Sequence, residues 1–197
     1  MWVKGKGDLP GHLVVVSGPS GCGKSSIIRA ALEAPDLDAT LSISATTRGP
    51  RPGERDGVDY FFKTEAEFLA DQRDSRFLES AVYNGHHYGT PAAPVFESLS
   101  LGKTVLLEIE VQGALHVRRT APSALFVFLR TPTFRDLERR LRARGTDSES
   151  AIHLRLLKAR EELAEAHWYD VQLVNDAFDT CVGSFITLLK TYGRGGD

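Results

Sequence analysis

Cysteine is scarce in this 197-residue chain, with Cys22 and Cys181 alone, too few for the disulfide framework of a small secreted fold. Long hydrophobic runs are missing as well. No apolar stretch approaches the roughly 20 residues that span a bilayer. The first residues, Met1-Trp2-Val3-Lys4-Gly5-Lys6-Gly7, hold no apolar region of signal-peptide length. Nor is there an excess of either charge: 24 Lys and Arg stand against 26 Asp and Glu, for a net charge of −2. That balance argues against electrostatic binding of a nucleic acid polymer or an anionic membrane. Internal repeats and low-complexity tracts are absent. The cytoplasm is the expected location. What is present is 42% hydrophobic and 25% charged, ordinary for a globular protein and long enough for a single domain with some elaboration.

The most informative stretch runs from Leu13 to Ile28. An apolar run, Leu13 to Val16, ends in a glycine-rich turn, and an apolar-periodic segment follows at once. Gly18, Gly23, Lys24 and Ser25 fit the spacing G-x-x-x-x-G-K-[ST] of a phosphate-binding loop. Glycines leave no Cβ in the way, so consecutive N–H groups turn inward around a phosphate. The helix starting near Lys24 adds the positive end of its dipole. Lys24 supplies an ammonium for the outer phosphates, and the Ser25 hydroxyl is placed to ligate Mg2+. Gly18, Pro19, Ser20, Gly21, Cys22, Gly23, Lys24, Ser25 and Ser26 are therefore the expected triphosphate contacts. Cys22 fits the loop as a small residue, and its position at a helix start raises the question of oxidative inhibition.

Along the chain, the helix after the loop runs to about Ala34, where Pro35 stops it. Leu41 to Ser44 alternates like a half-buried strand, and Thr47 to Gly57 is a loop rich in Pro, Gly and Arg. Val58 to Phe62 is a short β-rich run, and Thr64 with Glu67 makes a capping box. Phe77 to Tyr83 is a strand, His86 to Thr90 a turn, and Pro91 fits the first turn of a helix. His86 and His87 are expected at a solvated rim. Lys103 to Ile109 and Ala124 to Leu129 are continuous apolar runs of the buried parallel kind, with a helix over Val111 to Arg118 between them. Thr133 caps a helix to Arg144; Gly145 to Ser148 interrupts; a second helix runs to about His167. Val171 to Val174 and Phe178 to Tyr192 form the last strand and helix. Phe68, Phe126 and Phe128 fit core spacing. Strands alternating with helices imply an α/β fold with a parallel sheet, and the segment from about 45 to 90 reads as an inserted lobe of short strands.

A phosphate loop alone suits a GTPase, a motor, a transporter ATPase or a small-molecule kinase. Arginines sort these. Arg48 and Arg51 share a rigid loop and suit a second phosphate-bearing substrate, because guanidinium forks grip phosphate oxygens in pairs. Arg140, Arg144 and Arg155 flank the break at Gly145 and suit a helical lid that neutralises charge in phosphoryl transfer.

With these residues in view, the chain resembles guanylate kinases from Gly11 to about Tyr192. The resemblance is carried by Ser17 to Ser25, Ser44 to Glu54, Gly57 to Phe62, Phe77-Leu78-Glu79, Tyr88 to Pro91, Glu108 to Gly113, Arg140 to Thr146 and Leu173 to Asp176. It implies a P-loop NTPase-type parallel sheet flanked by helices, with an inserted GMP-binding lobe and a helical lid. The implied division is a core at about 11–44, 91–135 and 160–192, a GMP-binding lobe at about 45–90 and a lid at about 136–159. The implied reaction converts ATP and GMP to ADP and GDP with Mg2+, in purine nucleotide metabolism, with dGMP a further acceptor. By the same resemblance Arg48, Arg51, Tyr60 and Tyr88 would hold the GMP phosphate, and Ser44, Glu79 and Thr90 would read the guanine. A carboxylate there accepts from guanine N1–H and N2–H together, while adenine leaves it desolvated and unpaired. Lys24, Arg140, Arg144 and Arg155 would line the moving phosphoryl group, with Arg48 counted among the catalytic groups, and Asn175 would contact the adenine of ATP. Glu110 would touch either GMP or a magnesium-bound water, since glutamates stand at 108 and 110 where many relatives have aspartates. Two further readings are a guanylate-kinase-like scaffold module and a kinase for another phosphorylated small molecule. Retention of Lys24, Ser25 and the lid arginines weighs against the first, and Ser44, Glu79 and Thr90 against the second. Oligomeric state is not legible.

Overall fold

The computed structural model describes residues 9–83, 85–143, 145 and 148–193. In chain order the elements begin with β1 (His12–Ser17), α1 (Lys24–Leu32), β2 (Ala39–Leu41), β3 (Ala45–Thr46) and β4 (Phe61–Phe62). Next come α2 (Glu65–Arg73), β5 (Phe77–Tyr83), β6 (His86–Pro91), α3 (Ala92–Ser100) and β7 (Thr104–Glu108). The series closes with α4 (Val111–Thr120), β8 (Leu125–Arg130), α5 (Phe134–Ala143), α6 (Glu149–Ala164), a 3₁₀ turn (Glu165–Trp168), β9 (Val171–Val174) and α7 (Phe178–Tyr192). The chain forms two compact units: Ala39–Ala124 with the residues up to Leu13, and Val14–Asp38 with the residues from Leu125 onward.

In the second unit β8 pairs in parallel with β1, Val14 opposite Leu125, and with β9, Val127 opposite Val171. Parallel strands need both faces covered by crossover helices. That is why Val14, Val15, Phe126, Val127 and Phe128 are all fully buried instead of alternating. α1 packs on α7 and α5 on α6. Two caps appear here. Thr133 Oγ accepts from Asp136 N–H at 3.1 Å while Asp136 accepts from Thr133 N–H at 3.2 Å. Ser148 caps α6 by accepting from Ala151 N–H at 3.3 Å.

In the first unit β2 and β7 pair in parallel, and a four-stranded sheet is ordered β4-β3-β6-β5. α2 covers that sheet through Phe68, whose ring stacks on Phe77 at 4.5 Å. The α2 capping box forms as expected, with Thr64 and Glu67 bonded reciprocally. The α/β class with parallel strands flanked by helices is met. Among the described residues no helix is long and apolar enough to cross a membrane.

Several boundaries differ from the sequence reading. His86 to Thr90 is not a turn but most of β6, because the chain reverses at Gly85, at φ 76°, and β6 lies antiparallel on β5. His87 consequently sits half-buried, its ring 5.3 Å from Phe68, rather than at a solvated rim. The strand expected at Leu41 to Ser44 is Ala39–Leu41, set by register with β7. Of Val58 to Phe62 the last two residues form β4, and Tyr60 makes an isolated bridge with Asp56. Pro91 closes β6 and sits before the first turn of α3.

Candidate active site

The phosphate loop lies in the second unit between β1 and α1. Gly18, Gly21 and Gly23 hold φ of 145°, 92° and 101°, a region closed to most side chains. Space excludes them too. A Cβ at Gly18 would run into the Leu129 carbonyl, and one at Gly23 would lie 2.5 Å from the Asn175 amide nitrogen. Lys24 folds back over the loop, its ammonium donating to the Gly18 carbonyl at 2.5 Å and lying 3.4 Å from the Pro19 carbonyl. Ser20 is half-buried, and Ser25 and Ser26 are exposed on the first turn of α1. Cys22 is fully buried. A thiol so buried is shielded from solution in this fold.

Asn175 follows β9 and is 4% exposed. Its amide donates to the Cys22 carbonyl at 2.8 Å. Arg140, on α5, donates to the Asn175 carbonyl at 2.8 Å and approaches the Cys22 carbonyl at 3.4 Å. Asn175 and Arg140 therefore brace the loop from beneath. Arg155 is half-buried on α6, and Arg144 lies outside the described residues.

The other predicted residues gather on the small sheet of the first unit. Arg48 is nearly enclosed. Its guanidinium pairs in a fork with Glu54, two contacts of 2.9 Å, and lies 5.3 Å from the Tyr60 ring centre and 5.9 Å from that of Phe62. Its Nε is buried without a hydrogen-bond partner among the described residues. Pairing holds Glu54 below the usual carboxylate range, chiefly through the Arg48 hydrogen bond. Glu54 was not assigned by the sequence reading, although it stands six residues after Arg48 in Arg-Pro-Gly-Glu. Tyr60 meets the Tyr88 ring edge-on at 6.1 Å, and burial, with Glu108 nearby, raises its hydroxyl pKa. Arg51 is exposed, its backbone N–H donating to Glu54 at 2.7 Å. Ser44 precedes β3, its carbonyl accepting from Phe61 N–H. Glu110 is half-buried immediately before α4.

Glu79 is the most constrained group of the set. It lies on β5 directly after an irregularity in the pairing with β6: Phe77 faces Pro91 while Glu79 faces Thr90. The extra residue, Leu78, is a bulge that breaks alternation and turns both Leu78 and Glu79 inward. At 5% exposure the carboxylate accepts the Thr90 hydroxyl at 2.6 Å. Burial pushes its pKa up to about 7, against the pull of the Thr90 hydrogen bonds. A carboxylate sunk in a sheet and bonded by Thr90 through both its hydroxyl and its backbone suits a ligand presenting N–H groups.

A sequence-family model described as guanylate kinase matches residues 11–192. The chain belongs to the guanylate kinase family. It is 49% identical over 188 residues to the guanylate kinase of Rubrobacter xylanophilus, covering 95% of this chain and 97% of that one. It is likewise 49% identical to that of Thermus thermophilus over 94% of this chain and 84% of the relative. The crystal structure of guanylate kinase from Anaplasma phagocytophilum superposes with a TM-score of 0.79 at 27% identity, over 94% of this chain and 88% of that one. Guanylate kinases are nucleoside monophosphate kinases, and this chain has a glycine-rich loop with the phosphate-binding spacing and a buried carboxylate at Glu79.

Proposed function

We propose that this guanylate kinase moves the γ-phosphoryl group of ATP onto GMP with the residues described above, and that the buried Glu79 carboxylate, bonded to Thr90, selects the base. That carboxylate is the observation on which the reading stands. Guanine offers N1–H and N2–H side by side to two carboxylate oxygens. Adenine offers no such pair and would leave a desolvated charge without a partner, the kind of mismatch that separates substrates by about 10⁴ or more. Ser44 completes the base site. Arg48, Arg51, Tyr60 and Tyr88 take the GMP phosphate, with Glu54 keeping Arg48 extended until the phosphate arrives. On the donor side the loop amides from Gly18 to Ser26 and Lys24 hold the triphosphate, and Arg140 and Arg155 neutralise it, together with Arg144. Phosphoryl transfer asks for alignment and charge compensation more than for proton transfer, so the carboxylates bind and orient.

Mg2+ suits the donor site by chemistry. The Ser25 hydroxyl is one hard oxygen ligand on an exposed first helical turn, and Mg2+ takes few protein ligands while keeping waters and phosphate oxygens. Glu110 is proposed either to act through a magnesium-bound water or to touch GMP. When bound, the ion offsets charge on the transferring phosphates. dGMP is proposed as a second acceptor, as the family resemblance implies. The division into core, GMP-binding lobe (about 45–90) and lid (about 136–159), and a cytoplasmic location, are proposed alongside.

The test is a coupled ADP-release assay run with GMP, dGMP, AMP and CMP. GMP and dGMP are expected to be turned over at least about 100-fold more efficiently than the others. Comparable rates on AMP, or no GMP-dependent ADP at all, would overturn the assignment.

A further inference from the structure

One close approach near Glu79 is assigned to no function by the reaction itself. Gly113 is the third residue of α4, and its Cα faces the Glu79 side chain. A Cβ built there would collide with Glu79 Oε2 and lie 3.0 Å from Glu79 Cδ. The neighbour that would have to yield is the end of one side chain rather than backbone. The carboxylate is therefore located from two sides: Thr90 on β6 holds Oε1 by a hydrogen bond, and the bare Cα of Gly113 leaves the space that Oε2 fills.

Glycine here is not a backbone requirement. Gly113 lies inside α4 without a positive φ, and a helical glycine costs about 1 kcal/mol relative to alanine. Helix propensity alone would favour alanine. The missing methyl is explained by what occupies its place.

We propose that Gly113 is a positioning residue for base selection: the absence of its side chain sets where the Glu79 carboxylate sits and so fixes discrimination between guanine and other bases. This rests on the reading of Glu79 as the base-selecting group. A methyl at 113 would displace the carboxylate by about an ångström, a misplacement able to cost on the order of 100-fold in a positioned reaction. The loss is expected on the acceptor side, because Gly113, Glu79 and Thr90 belong to one compact unit and the phosphate loop with Lys24 to the other.

The test uses full-length wild type, Gly113→Ala, Glu79→Ala and the double variant Gly113→Ala with Glu79→Asp, measured for KM of GMP, KM of ATP and the GMP-to-AMP ratio of kcat/KM. Gly113→Ala is expected to raise KM for GMP by about 10- to 100-fold and lower the GMP-to-AMP ratio, with KM for ATP unchanged. Shortening the carboxylate by one methylene in the double variant should recover part of the GMP-to-AMP ratio. A positioning role is overturned if Gly113→Ala keeps wild-type GMP selectivity while Glu79→Ala loses it. If Glu79→Ala itself keeps selectivity, the base-selection reading fails and this inference falls with it. Should Gly113→Ala not fold, the double variant carries the test: recovery of the fold and of GMP selectivity supports the contact, and no recovery overturns it.

Discussion

A carboxyl group with its pKa at about 7 makes Glu79 a titrating group in the working range, and its sign can be followed through. In the unfolded chain a glutamate ionises near 4.3. In the ligand-free fold, burial keeps Glu79 protonated well above that. Stability is therefore whole at low pH and is lost as pH rises towards 7, by roughly 3–4 kcal/mol once both states are ionised. In the proposed base site GMP would reverse the preference, since two N–H donors call for the anion. Unfolding free energies of wild type and Glu79→Gln, compared from pH 5 to 8, should diverge, the wild type losing ground as pH rises. Over the same range KM for GMP should fall in the wild type and stay flatter in Glu79→Gln; ionisation of the GMP phosphate, with its second pKa near 6, affects both alike. Parallel profiles for the two proteins would remove Glu79 from the base site.

Elements were legible in the sequence where one local rule governs them. β1, β7 and β8 show as apolar runs because parallel strands bury both faces, and α2 and α5 open at caps written three residues apart. β6 was hidden because His86-His87-Tyr88-Gly89 has no hydrophobic alternation, although Asn84-Gly85 before it is a hairpin signal. The site divides in the same way. The phosphate loop is readable since its spacing is dictated by backbone amides closing on one anion. Glu54 and Gly113 are not, because their roles arise only when β3, β5, β6 and α4 come together, and the bulge at Leu78 shifts the phase on which Glu79 depends. Asn175 shows what an element-level contact should do. Its amide is buried against the Cys22 carbonyl, so Asn175→Ala should loosen the loop: unfolding free energy drops by about 1–3 kcal/mol and ATP affinity weakens, while GMP affinity holds. Urea melts and calorimetric titration with each nucleotide check this. Unchanged stability together with weaker ATP binding would instead favour a direct contact with the base of ATP.

For the whole molecule, the important fact is where the two sets of residues fall. Glu79, Thr90, Arg48 and Tyr88 belong to one compact unit; the phosphate loop, Lys24, Arg140 and Asn175 belong to the other. Binding of each nucleotide should then be removable without touching binding of its partner. A ligand at 100 times its dissociation constant stabilises the protein by about 2.7 kcal/mol, which for a chain of this length raises the melting temperature by roughly 5–10 °C. In thermal melts Lys24→Met should keep the shift caused by GMP and lose most of that caused by ATP with Mg2+. Glu79→Ala should keep the ATP shift and lose most of the GMP shift. Turnover should distinguish them further. On the proposed roles, Lys24→Met would remove the charge that follows the moving phosphoryl group and should lower kcat by at least about 100-fold, whereas Glu79→Ala should act mainly through KM for GMP, because a base contact is equal in the ground and transition states. A Lys24→Met protein that lost the GMP shift as well would mean that loading the donor side shapes the acceptor side, and the two sets of residues would then have to be treated as a coupled system.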